Sequence, residues 1–223
     1  MLIPVSWLKR YVEITILDSA LAEKLTMAGI EIGGITRIGE NWARDKVVVG
    51  HVLKVEPHPN ADRLTIATVD LSNNESIKVI CGGPNIREGQ KVAFAHEGAI
   101  LYNTHTNKTQ PLTAAKIRGI NSPGMVCSEI ELGLGKDHSE ILVLPEDAPT
   151  GTPLFDYMGD SVLDAEVTPN RPDCLSILGI AREVAALTGR SVHEPDLEYV
   201  ETEDPINHQI SINIANSDMC KRY

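Results

Sequence analysis

His58, Asn60, Asp62 and Arg63 fall within six residues, in the run His58-Pro59-Asn60-Ala61-Asp62-Arg63-Leu64. They put an imidazole, an amide, a carboxylate and a guanidinium on one short turn. Pro59 fixes its own φ and restricts His58, while Asn60 and Asp62 are side chains that satisfy turn backbone groups themselves. The alternating residues 65–70 that follow read as a half-buried strand, so the turn sits at a sheet rim. Such a rim suits recognition of a polar ligand, and it equally describes a well-made turn. A second run, Lys116-Ile117-Arg118-Gly119, leads through Asn121-Ser122-Pro123-Gly124 to Cys127-Ser128-Glu129. Two residues apart on a strand, Lys116 and Arg118 share a face. Beside Lys54, Arg63 and Lys91 they would form a groove that follows phosphates; alone, they would be a solvated strand face.

Catalytic constellations are thin. Cys81 and Cys127 would need an adjacent base such as His58 or His96 to act as nucleophiles, and Cys81 continues an apolar strand face where a buried structural thiol is expected. Gly82-Gly83-Pro84-Asn85 is glycine-rich, but its proline makes it a turn between strands. No Gly-rich phosphate loop and no GxSxG elbow occurs. The cysteines Cys81, Cys127, Cys174 and Cys220 lie more than forty residues apart, and no His-x-x-x-His pair exists. No metal site and no catalytic residue is therefore expected.

The elements that must hold these groups are mostly short strands. Residues 47–55, 64–71, 76–81, 90–95, 115–120 and 141–144 carry strand patterns, punctuated by Pro57 and Pro59, Asn73-Asn74, Gly82-Gly83 and Glu97-Gly98. That many short strands in about 110 residues suit a small closed barrel of the OB-fold type. Helical signals flank it. Ser6 is placed to cap a first turn, and Thr15 with Asp18 to open a helix carrying Leu17, Leu21, Leu25 and Ala28 and closing at Gly29. A strand follows over residues 30–38, where Gly33 and Gly34 mark a bulge or close approach. After a strand over 162–168, Asp173 is the expected cap of a helix striped by Ile177, Ile180, Ala181, Val184 and Leu187 and closed by Gly189. Neither flank is large enough to bury a core alone. The expected fold is α+β and β-rich: an OB-fold barrel (40–151) inserted into a discontinuous small α+β domain (1–39 plus 152–195). Residues 196–223 read as a linker and the truncated start of a further domain, in which Ile210, Ile212 and Ile214 alternate as a strand.

With 223 residues, 42% hydrophobic and 23% charged, the chain has globular composition. Its formal charge is 20 − 31 = −11, which argues against coating nucleic acid through bulk electrostatics. Residues 40–151 hold eleven Lys or Arg against fourteen Asp or Glu, a balance of −3, leaving −8 for the flanks. Any nucleic-acid contact must rest on a few placed cations. The opening residues carry no secretory signal, no apolar run approaches the roughly 20 residues of a membrane span, and unpaired thiols fit a cytoplasmic location.

The two motif runs resemble the tRNA-binding barrel domain of several tRNA-associated proteins. The flanking runs, Leu25-Thr26-Met27-Ala28-Gly29-Ile30-Glu31 and Thr168-Pro169-Asn170-Arg171-Pro172-Asp173-Cys174-Leu175-Ser176 through Gly179-Ile180-Ala181-Arg182-Glu183, resemble the first domain of the bacterial phenylalanyl-tRNA synthetase β-subunit family. The likeness covers nearly the whole chain; where Lys221 stands in Cys220-Lys221-Arg222-Tyr223, that family usually has proline. The resemblance implies a part in ATP-dependent charging of tRNA(Phe) with phenylalanine, in an α2β2 heterotetramer with the α subunit. ATP and Mg2+ would be used by the whole enzyme and no cofactor by this region, which would be non-catalytic. The implied tRNA-binding surface is Lys54, His58, Asn60, Arg63, Asn85, Lys91, Lys116, Arg118, Ser122 and Ser128; Asn170, Arg171 and Asp173 would be structural, and neither membrane nor DNA is an expected partner. Two other readings are a stand-alone OB-fold tRNA-binding or chaperone-like protein, and a purely structural assembly module that touches no RNA.

Overall fold

The computed structural model describes residues 1–72, 76–200 and 205–222. Met1–His193 form one compact unit and Glu194–Tyr223 a second. The first unit opens with β1 (Leu2–Pro4), α1 (Val5–Leu8), α2 (Asp18–Met27) and β2 (Glu31–Ile38). The strands β3 (Val47–Pro57), β4 (Thr65–Asp70), β5 (Ser76–Cys81) and β6 (Lys91–His96) follow. Two hairpins come next, β7 (Ile100–Asn103) with β8 (Lys108–Pro111), and β9 (Ala115–Ile117) with β10 (Ile120–Ser122). The unit finishes with β11 (Gly124–Val126), β12 (Val143–Leu144), α3 (Leu154–Met158), β13 (Asp160–Glu166) and α4 (Ile177–Thr188).

Distant parts of the sequence share one sheet, ordered β1-β13-β2, with Ile3 opposite Leu163 and Ile35 opposite the same residue on its other side. Ile3, Leu8, Leu21 and Leu25 from the front of the chain pack with Leu163, Ile180 and Val184 from the back. A bulge in β2 leaves Gly33 unopposed between Gly34 and Ile32, as glycine in a strand implies. On α4 the apolar stripe turns inward as expected, and Gly189 ends the helix at φ 68°.

The barrel sheet runs β11-β6-β3-β4-β5, with β12 also beside β6. β3 is buried on both faces. Val48 and Val52 meet Val69, Val79 and Phe94 in the barrel interior, while Val47 and Val49 pack outward with Trp42, Ala93 and Leu154. Gly50 admits this packing because a Cβ there would lie 2.6 Å from a Val69 methyl. The expected alternation along β3 breaks at Leu53: Val52 opposes Val69 and Lys54 opposes Thr68, so Leu53 bulges out 49% exposed. The bulge inverts the register, bringing Val55 against the same core as Val52. At the two ends of the sheet order, β5 and β11 are joined by a side chain. The Ile80 N–H donates to Ser122 Oγ at 3.1 Å, and that hydroxyl donates to the Gly124 carbonyl at 2.9 Å. The result is a nearly closed, OB-fold-like barrel.

Several sequence expectations are corrected. Pro4, not Ser6, precedes α1, and Ser6 instead bonds Asp160 through its N–H and hydroxyl at 3.0 and 2.6 Å. Leu17 stands at the start of α2 without a side-chain cap and is 77% exposed, so the buried face is Leu21, Ala22 and Leu25. Asp173 lies in a 3-10 turn, Pro172–Cys174; Ser176 caps α4, accepting from the Gly179 N–H at 3.0 Å. The strand expected over 115–120 is a hairpin, because Arg118 and Gly119 form its turn. In the second unit, the 3-10 turn Ile206–His208 precedes Ile210, Ile212 and Ile214, which are exposed and in no strand. Alternation makes a strand only where a partner supplies the ladder. The Asn73-Asn74 turn, residues 201–204 of the expected linker and Tyr223 lie outside the described residues.

Candidate nucleic-acid interface

The turn after β3 is built around an inward imidazole. His58 is 5% exposed, and its Nδ1 accepts the Asn60 N–H at 3.0 Å while its backbone N–H donates to the Leu64 carbonyl at 3.1 Å. Nδ1 as acceptor places the proton of the neutral ring on Nε2, which has no partner among the described residues. His58 therefore fixes the turn and presents almost none of its surface to solvent. Asn60 and Arg63, on the outside, are exposed.

The Asn60 side-chain amide reaches the Arg118 carbonyl at 3.4 Å. This joins the two motif runs, 58 residues apart in sequence, at the tips of two turns. Arg118 and Gly119 take φ values of 48° and 99° between paired Ile117 and Ile120, a two-residue turn with both central residues left-handed. Asn and Gly suit that geometry; an Arg in it is strained, and strain of this kind concentrates at functional positions. Lys116 and Arg118 are exposed and, like Arg63, have no ion-pair partner among the described residues.

The remaining expected contacts divide by burial and partner. Lys54 is exposed but pairs with Glu56 at 2.9 Å, which raises the lysine pKa and lowers that of the carboxylate. Lys91 Nζ donates to Thr150 Oγ1 at 2.5 Å and is half-buried. Asn85 staples two loops, donating to the Ile141 carbonyl at 3.0 Å and accepting the Ile141 N–H at 2.9 Å. Ser122 and Ser128, each 5% exposed, are correspondingly internal: Ser122 closes the barrel seam, and Ser128 donates its N–H and hydroxyl to Glu131 Oε2 at 2.7 and 2.9 Å. The surface left by this sorting is Asn60, Arg63, Lys116 and Arg118.

The two thiols considered, Cys81 and Cys127, are buried. Burial pushes the Cys81 and Cys127 pKa values up, with nearby Glu131 adding to the effect. Asp173, Cys174 and Glu183 cluster within 4.8 Å, but the Arg171 guanidinium occupies the cluster, at 2.8 Å from Asp173, 3.1 Å from the Cys174 sulfur and 2.6 Å from Glu183. Its hydrogen bonds hold the Asp173 pKa down to about 2, and burial lifts that of Cys174 to about 11. This network ties the turn before α4 to the helix itself, a structural role for Arg171 and Asp173; Asn170 is exposed beside it.

The sequence reading overlooked the β7–β8 hairpin and the cavity beside it, which is lined by Tyr102, Asn103, His105, Gln110, Met125 and Glu131 among others. Asn107, at φ 53° in the hairpin turn, is the residue type that marks such a turn.

The barrel is nearly closed and carries exposed cations at two of its turn tips, and residues 47–153 match the tRNA_bind family, described as "Putative tRNA binding domain". This stretch is a member of that family. Over its whole length, moreover, the chain is homologous to part of phenylalanine–tRNA ligase beta subunits. It is 44% identical over 225 residues to the one from Fusobacterium nucleatum and 43% identical over 225 residues to the one from Dehalococcoides mccartyi. Each match covers 100% of this chain and 27% of the relative, so the chain spans about a quarter of the length of those proteins. Among solved structures, the MetRS related protein from Pyrococcus horikoshii aligns at a TM-score of 0.35 and 18% identity, covering 62% of this chain and 97% of that one. Among the described residues no helix is long and apolar enough to cross a membrane.

Proposed function

We propose that this chain is the tRNA-contacting and assembly region of a phenylalanine–tRNA ligase β subunit, and that it serves the charging of tRNA(Phe) within a cytoplasmic α2β2 enzyme. The observation that carries the tRNA contact is the Asn60 to Arg118 link, which gathers Arg63, Lys116 and Arg118 at two adjoining turn tips. Phosphate oxygens meet such cations, and the turn amides and Asn60 supply neutral donors beside them. In this reading the region 1–39 with 152–195 frames an inserted barrel, 40–151, and 196–223 is a separate segment. Aminoacylation, with its ATP and Mg2+, belongs to parts of the enzyme outside this chain, which itself performs no catalytic step.

Titrating labelled tRNA with the chain at several salt concentrations tests this. Binding that weakens with salt, and weakens further on Lys116→Ala with Arg118→Ala, supports it. The net charge of −11 favours a second reading, an assembly surface without RNA. No binding at low ionic strength would select that one.

A further inference from the structure

The cavity beside the β7–β8 hairpin has a volume of about 290 Å³, the lower end of small-ligand sites at roughly 300 Å³. Its walls mix an aromatic ring with free hydrogen-bonding groups. Tyr102 is oriented by its hydroxyl, which donates to Asn107 Oδ1 at 3.2 Å. Asn103 Oδ1 is occupied by the N–H groups of His105 and Thr106, and Gln110 Oε1 by the Thr106 hydroxyl, so each amide keeps its NH2 unused among the described residues. Glu131 has Oε2 committed to Ser128 and leaves Oε1 without a hydrogen bond among them. The cavity therefore offers one anionic acceptor, two neutral donors and an aromatic face. Ala115, on its wall, immediately precedes Lys116, which places the opening at the foot of the cationic hairpin.

We propose that this cavity holds one unstacked, amino-bearing nucleobase of single-stranded RNA, with Glu131 accepting from its exocyclic amino group and the amides of Asn103 and Gln110 donating to its ring or carbonyl acceptors. Single-stranded RNA is read in this way, by stacking on aromatic rings and hydrogen bonding along base edges. Cations at Lys116 and Arg118 hold the backbone while the cavity reads the base. The inference rests on the tRNA-binding reading and gives it a base-specific element.

The test compares two isosteric oligomers, twelve cytidines and twelve uridines, which differ where cytosine has an amino group and uracil a carbonyl. Anisotropy titrations of the full 223-residue chain are run beside tRNA. Cytidine is expected to bind about tenfold more tightly, the scale of one carboxylate-to-amino contact. Glu131→Gln keeps a carbonyl for Ser128 and abolishes the preference, and Tyr102→Leu weakens both oligomers about tenfold by removing the stacking face. Thermal melts by circular dichroism verify that each variant folds; if Glu131→Gln does not, Gln110→Leu is read for weaker binding of cytidine, and unchanged cytidine affinity in that variant overturns the base site. Equal affinity for the two oligomers, with tRNA still bound, overturns the base site alone. Failure to bind tRNA or either oligomer at low salt overturns both readings.

Discussion

Replacing Arg118 with glycine separates what this hairpin does for the fold from the RNA contact proposed for it. With φ at 48°, Arg118 occupies the left-handed region, which costs an L residue about 1–2 kcal/mol and glycine nothing comparable. Arg118→Gly is therefore expected to leave stability unchanged or to raise it by up to about 1 kcal/mol. Its effect on binding follows from the number of free cations. Arg63, Lys116 and Arg118 are exposed and unpaired among the described residues, whereas Lys54 is neutralised by Glu56 and Lys91 is tied to Thr150. At about 0.7–0.9 per phosphate contact, three cations give a slope of log K against log salt near −2 to −3. A fourfold rise in salt then weakens binding about 20- to 40-fold, and with two cations only about 7- to 12-fold. Fluorescence anisotropy with labelled tRNA at 50 to 200 mM salt, beside urea melts of both proteins, measures the two effects. An unchanged salt slope in Arg118→Gly would remove Arg118 from the phosphate contacts, and a loss of more than about 1 kcal/mol in stability would refute the strain argument.

Other outcomes follow from the same geometry. Ser122→Ala strands the buried Ile80 N–H at the barrel seam and is expected to cost about 1–3 kcal/mol, read as a lower urea midpoint at constant slope; a change below about 0.5 kcal/mol would deny the hydroxyl its closing role. Asp173 is held near a pKa of 2, below its ordinary 3.8, so its contribution is present above about pH 4 and disappears as pH falls toward 2. Carboxyl carbon NMR should show that low midpoint and its return toward 3.8 in Arg171→Met. Cys81, Cys127 and Cys174 are buried and Cys220 is not, so a thiol reagent at neutral pH should label Cys220 rapidly and the others only on unfolding; rapid labelling of Cys81 in the folded chain would contradict its burial.

Periodicity revealed the elements whose partners lie in regular ladders or helical faces. The stripe through Ile180 and Val184 predicts α4, and alternation predicts β4 and β5, because each pattern reflects one buried face. It failed where a single residue alters register or chain direction. Leu53 bulges and inverts β3, and Arg118-Gly119 reverses the chain in the middle of an apparent strand, with an Arg where Asn or Asp would have announced the turn. Capping misled for a related reason: both Asp173 and Ser176 are good cap residues, and only the 3-10 turn after Pro172 decides that Ser176 enters the helix. Among the ten expected tRNA contacts, the sequence did not disclose which side chains face outward. His58, Ser122 and Ser128 are buried, and their polar atoms bond backbone groups or the Glu131 carboxylate.

That inward facing bears on how an acidic chain can hold RNA. With a net charge of −11, the molecule gains nothing from long-range attraction, and at physiological salt charges beyond about 8 Å are largely screened. What counts is which groups lie at contact distance and how firmly they are held. His58 contributes by position: its buried Nδ1 accepts the Asn60 N–H, which sets the backbone from which the Asn60 side chain reaches Arg118. The two turn tips are thereby braced against each other, with three exposed cations that have no ion-pair partner among the described residues. A few fixed charges beside a cavity able to read a base give selectivity without a basic surface, and on that physical ground the charge deficit of the flanks and an RNA contact by the barrel are compatible.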